Sequence, residues 1–144
     1  MDIIKRNTDY ALRLMNLMAG FYLNKEAVSA RILSNNADVP YPVTCKLLQK
    51  LQKNRLVKSV MGPRGGYLLC RDPEQISFLD VIETIQGPVS VNRCFLGNYQ
   101  CPMKENCALH VKLSRIQNEI VNSFQRCKIA DSIPNKNVKL ENAV

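Results

Sequence analysis

PVTCKLLQKLQKN (42–54) is followed, after Arg55, by LVKSVM (56–61), GPRGG (62–66) and YLLC (67–70), and this stretch decides the fold. Pro42 suits a first helical position, where its fixed φ is pre-organised and its missing N–H is not needed. Leu47, Leu48 and Leu51 recur at helical spacing and predict one buried stripe, with Lys46, Lys50 and Lys53 along the exposed side. LVKSVM reads as a short strand, the glycine-rich GPRGG as a turn, and YLLC as the return strand. Upstream, residues 27–36 predict a helix with Val28, Ile32 and Leu33 inward, closed by the Asp-Val-Pro break at 38–40. Two short helices around a tight break, the second of them basic, form a helix-turn-helix, and a hairpin directly behind it is a wing. The expected fold is therefore mainly α: a winged helix-turn-helix with a small β-hairpin wing.

Outward from this stretch, Thr8 is expected to N-cap a helix carrying Ala11, Leu12, Met15 and Met18. Asp72-Pro73 punctuates the end of the wing. Ser77 and Asp80 stand at capping-box spacing before Val81, Ile82 and Ile85, and Gly87-Pro88 ends that helix. Residues 88–108 have no period. Leu109, Leu113, Ile116, Ile120, Phe124 and Cys127 then mark a long last helix. Nothing left in the chain is large enough to cover its stripe, so Leu113, Ile116, Ile120 and Phe124 are expected to meet a second copy in a homodimer. The competing arrangement folds this helix back on its own domain. The organisation expected is a DNA-binding domain at 1–87, a loop at 88–108, and at 109–144 a C-terminal dimerisation helix with a tail frayed from Ser132.

The 144 residues suit one domain, and 46% hydrophobic with 22% charged is ordinary globular composition. No apolar run approaches ~18 residues, so no membrane span is expected. Charged residues from Asp2 to Arg13 leave no signal-peptide core, which makes a cytoplasmic location the expectation. The net charge is +8, and all of it lies in residues 1–71, with twelve basic against four acidic residues. That asymmetry points to a polyanion. A recognition helix would bring Pro42, Val43, Cys45, Lys46 and Gln49 to base edges, with Lys50 and Lys53 on phosphates. In the wing, Arg64 suits the negative potential of a minor groove, and Gly65 and Gly66 allow close backbone approach. The expected partner is a double-stranded DNA operator.

Of six cysteines, Cys45, Cys70 and Cys127 are scattered and read as buried small hydrophobes. Cys94, Cys101 and Cys107 cluster, and His110, the sole histidine, follows three residues later. Three thiolates and an imidazole make a full donor set for a soft or borderline metal. Their spacing is too long for a zinc knuckle and suits an iron–sulfur cluster, whose ligands spread over a larger perimeter. An enzyme is not expected, because no Cys-x-x-Cys pair or nucleophile–base–orienter set can be assembled.

NTDYALRLM (7–15), KLLQKLQKNRLVKSVMGPRGGYLL (46–69), ISFLDVIETIQGP (76–88) and the three spaced cysteines resemble the Rrf-two family of winged-helix transcriptional regulators over about residues 1–128. The resemblance implies a homodimer in which a cluster loop joins the winged helix to a long dimer helix, and the cluster's state alters DNA binding. Cys94, Cys101 and Cys107 fall on the family's cluster cysteines. His110 falls on the fourth ligand of a branch with a [2Fe–2S] cluster. Asp9, reaching across from the partner subunit, falls on that of a [4Fe–4S], nitric-oxide-sensing branch. His110 and [2Fe–2S] are preferred. Three departures stand out: the Cys94–Cys101 gap is one residue longer than in the histidine branch, Cys45 replaces a glutamate that tunes site choice, and Arg64 replaces a glycine. A cluster-free or zinc-stabilised repressor controlled by a protein partner is the alternative.

Overall fold

The computed structural model describes residues 2–133, and nearly all of the tail expected to fray from Ser132 lies outside these residues. Helix α1 (Arg6–Tyr22) is the hub. Ala11, Leu14, Met15, Met18 and Ala19 on it are almost wholly buried. Around them pack α2 (Ala30–Ala37), α3 (Tyr41–Lys53), the strand β2 (Gly66–Leu69), α4 (Phe78–Gln86) and a short turn at Ile129–Ser132. Strand β1 (Val57–Val60) pairs antiparallel with β2, Val57 opposite Leu69 and Val60 opposite Gly66. Helix α5 (Ala108–Arg126) follows the cysteine loop.

Thr8 does not cap α1. The helix starts earlier, behind Lys5, and Thr8 is buried within its first turn. Its hydroxyl donates to Gln86 Oε1 at 2.7 Å. The same oxygen accepts the Lys5 N–H at 3.0 Å, and Gln86 Nε2 donates to the Ile3 carbonyl at 2.9 Å. One amide at the end of α4 thus satisfies the entering chain.

Helix α2 begins later than expected, because Ser29 is its cap and accepts the Ile32 N–H at 3.2 Å. Val28 is buried, as expected, but as extended backbone. It exchanges two hydrogen bonds with Tyr67, at 2.9 and 2.8 Å, which adds a one-residue third strand to the wing. Gly66 makes this approach possible. Its φ is +149°, and a Cβ there would run into the Val28 carbonyl.

The Ser77–Asp80 capping box forms as expected. Asp80 N–H reaches Ser77 Oγ at 3.0 Å and Ser77 N–H reaches Asp80 Oδ2 at 2.8 Å. Val81 and Ile85 of α4 join the main core. Leu79 and Ile82 form a second cluster with Val89, against which Ile120, Val121 and Phe124 of α5 pack. The C-terminal half of α5 therefore does fold back on its own chain. After α5 the chain returns to the hub: Phe78 N–H bonds the Cys127 carbonyl and Ile129 N–H bonds the Ile76 carbonyl, both at 2.9 Å, and Ile129 is 1% exposed.

Ile129→Ala should cost about 2–4 kcal/mol, the usual range for a buried aliphatic truncation. Ser132→Ala, an exposed position in the same turn, should stay within about 0.5 kcal/mol. Urea unfolding checks both.

Candidate nucleic-acid interface and cysteine loop

Helix α3 buries Thr44, Leu47, Leu48 and Leu51 and turns Pro42, Lys46, Gln49, Lys50 and Lys53 to solvent. Val43 is half-buried against the core, and Cys45 is half-buried. The Cys45 thiol beside the Tyr41 phenol is the main reason that phenol's pKa is pushed above its ordinary value. The Arg31 guanidinium lies 4.1 Å over the Tyr41 ring, joining α2 to the first turn of α3. Gln52 bonds Ser59 at 3.3 Å and so ties α3 to the wing. Arg55 and Lys58, in the connection and on β1, are exposed as well. Arg31, Arg55 and Lys58 are not among the interface residues that the sequence marks. Net charge includes them, but only the fold stacks Arg31 on Tyr41 of α3 and leaves Arg55 and Lys58 exposed behind it.

At the hairpin apex Gly62 has φ +108°, and the Gly65 N–H donates to the Gly62 carbonyl at 2.9 Å. Arg64 is exposed there, while Gly65 and Gly66 are half-buried. Among the described residues the one ion pair is Arg13–Asp9, at 2.7 Å. The lysines of α3 and Arg64 are thus not engaged by carboxylates of the described residues, which leaves them available to phosphates.

The cysteine loop is pinned to α5 by Gln117. Its Oε1 accepts the Val91 N–H at 2.9 Å and its Nε2 donates to the Val89 carbonyl at 2.7 Å. Within the loop Arg93 lies 4.4 Å over the Tyr99 ring, and Phe95 stacks on His110 with centroids 5.0 Å apart. Cys107 caps α5, its sulfur accepting the His110 N–H at 3.3 Å. Cys94, Cys101, Cys107 and His110 all line one cavity of about 240 Å³. His110 Nδ1 is buried with no hydrogen-bond partner among the described residues. None of the six cysteines is in a disulfide, and Cys70 and Cys127 are exposed rather than buried as expected, because they stand just past the ends of β2 and α5. Among the described residues the donors are not drawn together into a site for a single ion. Asp9 is in α1, engaged by Arg13, and is not part of this lining.

A basic recognition helix beside an anchored wing defines a winged helix-turn-helix DNA-binding protein. The chain belongs to the Rrf2 family, described as iron-dependent transcriptional regulators, which it matches over residues 4–135. It is 30% identical over 129 residues to the HTH-type transcriptional regulator IscR of Sodalis glossinidius, covering 90% of this chain and 77% of that one. Two solved structures share its fold. One is CymR, the global cysteine regulator of B. subtilis (TM-score 0.73, 23% identity, 91% of this chain and 95% of that one). The other is T. potens IscR (TM-score 0.69, 22% identity, 89% and 83%). The protein is thus a DNA-binding transcriptional regulator and not an enzyme. No helix among its described residues is long and apolar enough to cross a membrane.

Gln117→Ala should release the loop. Hydrogen exchange at the Val91 amide should accelerate by about five- to tenfold, as for the loss of one hydrogen bond of about 1 kcal/mol. Exchange at the Tyr67 amide, on the wing, should not change.

Proposed function

We propose that this regulator is a homodimer whose operator binding is governed by an iron–sulfur cluster held by Cys94, Cys101, Cys107 and His110. The observation that carries this reading is the shared cavity of about 240 Å³ lined by all four donors, beside a buried imidazole nitrogen left without a partner. An orphaned buried nitrogen is costly unless it meets a ligand. Three thiolates and an imidazole are the donors such a cluster takes, and their spread suits a multi-atom group better than one zinc ion. A bound cluster would supply a centre reactive toward oxidants and nitric oxide. The protein's own part is to orient the donors. Phe95 holds the imidazole plane, Gln117 holds the first stretch of the loop, and Cys107 sits where the dipole of α5 favours negative charge. [2Fe–2S] is preferred to [4Fe–4S], because His110 lies in the cavity and Asp9 is paired with Arg13.

On DNA, Lys50 and Lys53 meet phosphates. Cys45, Lys46 and Gln49 face base edges, with Pro42 and Val43 at the start of the same surface. Arg64, with Gly65 and Gly66 behind it, enters the minor groove. The dimer forms along α5, whose nineteen residues are at most partly covered by its own chain. Leu109, Val111 and Ile116 are exposed, and Leu113, Ile120 and Phe124 are half-covered.

Protein purified without oxygen should be coloured and contain iron and sulfide. Serine at Cys94, Cys101 or Cys107 should abolish the chromophore, and serine at Cys45, Cys70 or Cys127 should not. His110→Ala should lose or shift the spectrum while Asp9→Ala leaves it intact; the opposite pattern would move the fourth ligand to Asp9 of the partner subunit. A colourless parent protein that binds its operator tightly would favour the cluster-free regulator controlled by a protein partner. Ile116→Glu should yield monomers by sedimentation with unchanged thermal stability of the subunit. Ile120→Glu should also lower that stability, since Ile120 packs on the Leu79–Ile82 cluster.

Loss of Lys50 or Lys53 should weaken operator and random duplex equally and, by removing one contact from each subunit of the homodimer, reduce the magnitude of the slope of log K against log salt by about 2. Gln49→Ala should change which operator is preferred. A Lys50→Ala protein with altered sequence preference and an unchanged salt slope would overturn the register assigned to α3.

A further inference from the structure

We propose that Met61 is an apolar wedge, which the wing drives into the minor groove to unstack and bend the operator. The inference rests on the DNA-binding reading of α3 and the wing. Met61 is 93% exposed at the hairpin apex, next to Val60, itself 42% exposed. On β1 only Val57 faces the core, and Lys58, Ser59 and Val60 are all exposed. The Met61 side chain at this solvent-facing tip adds nothing to the core.

The tip that carries it is rigid. Gly65 N–H closes the turn on the Gly62 carbonyl at 2.9 Å, and Pro63 fixes one more dihedral between them. At the base, the paired hydrogen bonds of Val28 and Tyr67 and the contact of Gly66 with the Val28 backbone hold the hairpin to the body. The backbone of such a projection loses little conformational freedom on binding. Arg64, further round the same turn and also exposed, supplies the cation that a narrow minor groove attracts. Architectural proteins pair these two elements: a guanidinium that tracks the groove, and an unbranched or aliphatic side chain that parts a base step and kinks the duplex. Methionine suits the second role, being long, flexible and polarizable enough to fill an irregular gap. The chemistry recognised is a deformable step such as pyrimidine–purine, so Met61 would read sequence through stiffness rather than through hydrogen bonds.

The experiment uses the full chain and a duplex that the parent protein selects from a random pool, with 2-aminopurine placed in turn at steps facing the wing. Parent protein should raise the fluorescence at one step and bend the duplex by tens of degrees in a circular-permutation assay. Met61→Ala should lose both signals and bind about tenfold more weakly, with an unchanged salt slope and unchanged thermal stability. Met61→Leu should retain both signals. Met61→Lys should steepen the salt slope while still failing to unstack the step. Met61→Ala that keeps the fluorescence rise and the bend would overturn the wedge while leaving DNA binding by α3 intact. A parent that selects no duplex would overturn the DNA-binding reading and the wedge together.

Discussion

The apolar stripe of α1 must be covered on all sides, and the rest of the molecule is arranged to do it. Ala11, Leu14, Met15, Met18 and Ala19 need more neighbours than any single helix supplies. Helices α2, α3 and α4, strand β2 and the Ile129 turn each contribute a face. The orientation of α3 follows from this constraint: Leu47, Leu48 and Leu51 must point at α1, so its lysines must point away. The basic surface is therefore the far side of a packing requirement, and its direction was never free to vary.

Those parts of the fold that obey local rules are legible in the sequence. The Leu47–Leu48–Leu51 spacing, the glycine-rich turn, the capping box and the stop at Gly87 each depend on residues within one or two turns of one another. The features that are not legible depend on distant partners. Val28 belongs to an apolar pattern that fits a helix, and only Tyr67, far along the chain, draws it into the wing. Thr8 has the chemistry of a cap, and only Gln86 gives its hydroxyl a different bond. Ile129 lies beyond the last periodic helix, where no sequence rule foretells a return to the hub.

The candidate site divides in the same way. Residue type and spacing are enough to mark Cys94, Cys101, Cys107 and His110, because metal-ligand chemistry is a property of the donors. Their common cavity, the stacking of Phe95 and the Gln117 clamp are tertiary facts with no local signature. On the DNA side, charge counting finds the basic half of the chain but cannot show that Arg31 stacks on the first turn of α3. Nor can it single out Met61, since an apolar residue beside a turn reads as ordinary strand until its exposure is known.

The Gln117 clamp bears on how such loops change over time. It fixes the chain at Val89–Val91, and Cys107 fixes it again as the cap of α5, so the segment between is a loop closed at both ends. The entropy of closing a loop grows only logarithmically with its length, about 0.6 kcal/mol for a full doubling. One added residue between Cys94 and Cys101 therefore costs a small fraction of thermal energy. Insertions there are nearly neutral to folding, and lineages can drift in loop length, and with it in the reach of each thiol, while the winged helix on one side and α5 on the other keep their packing.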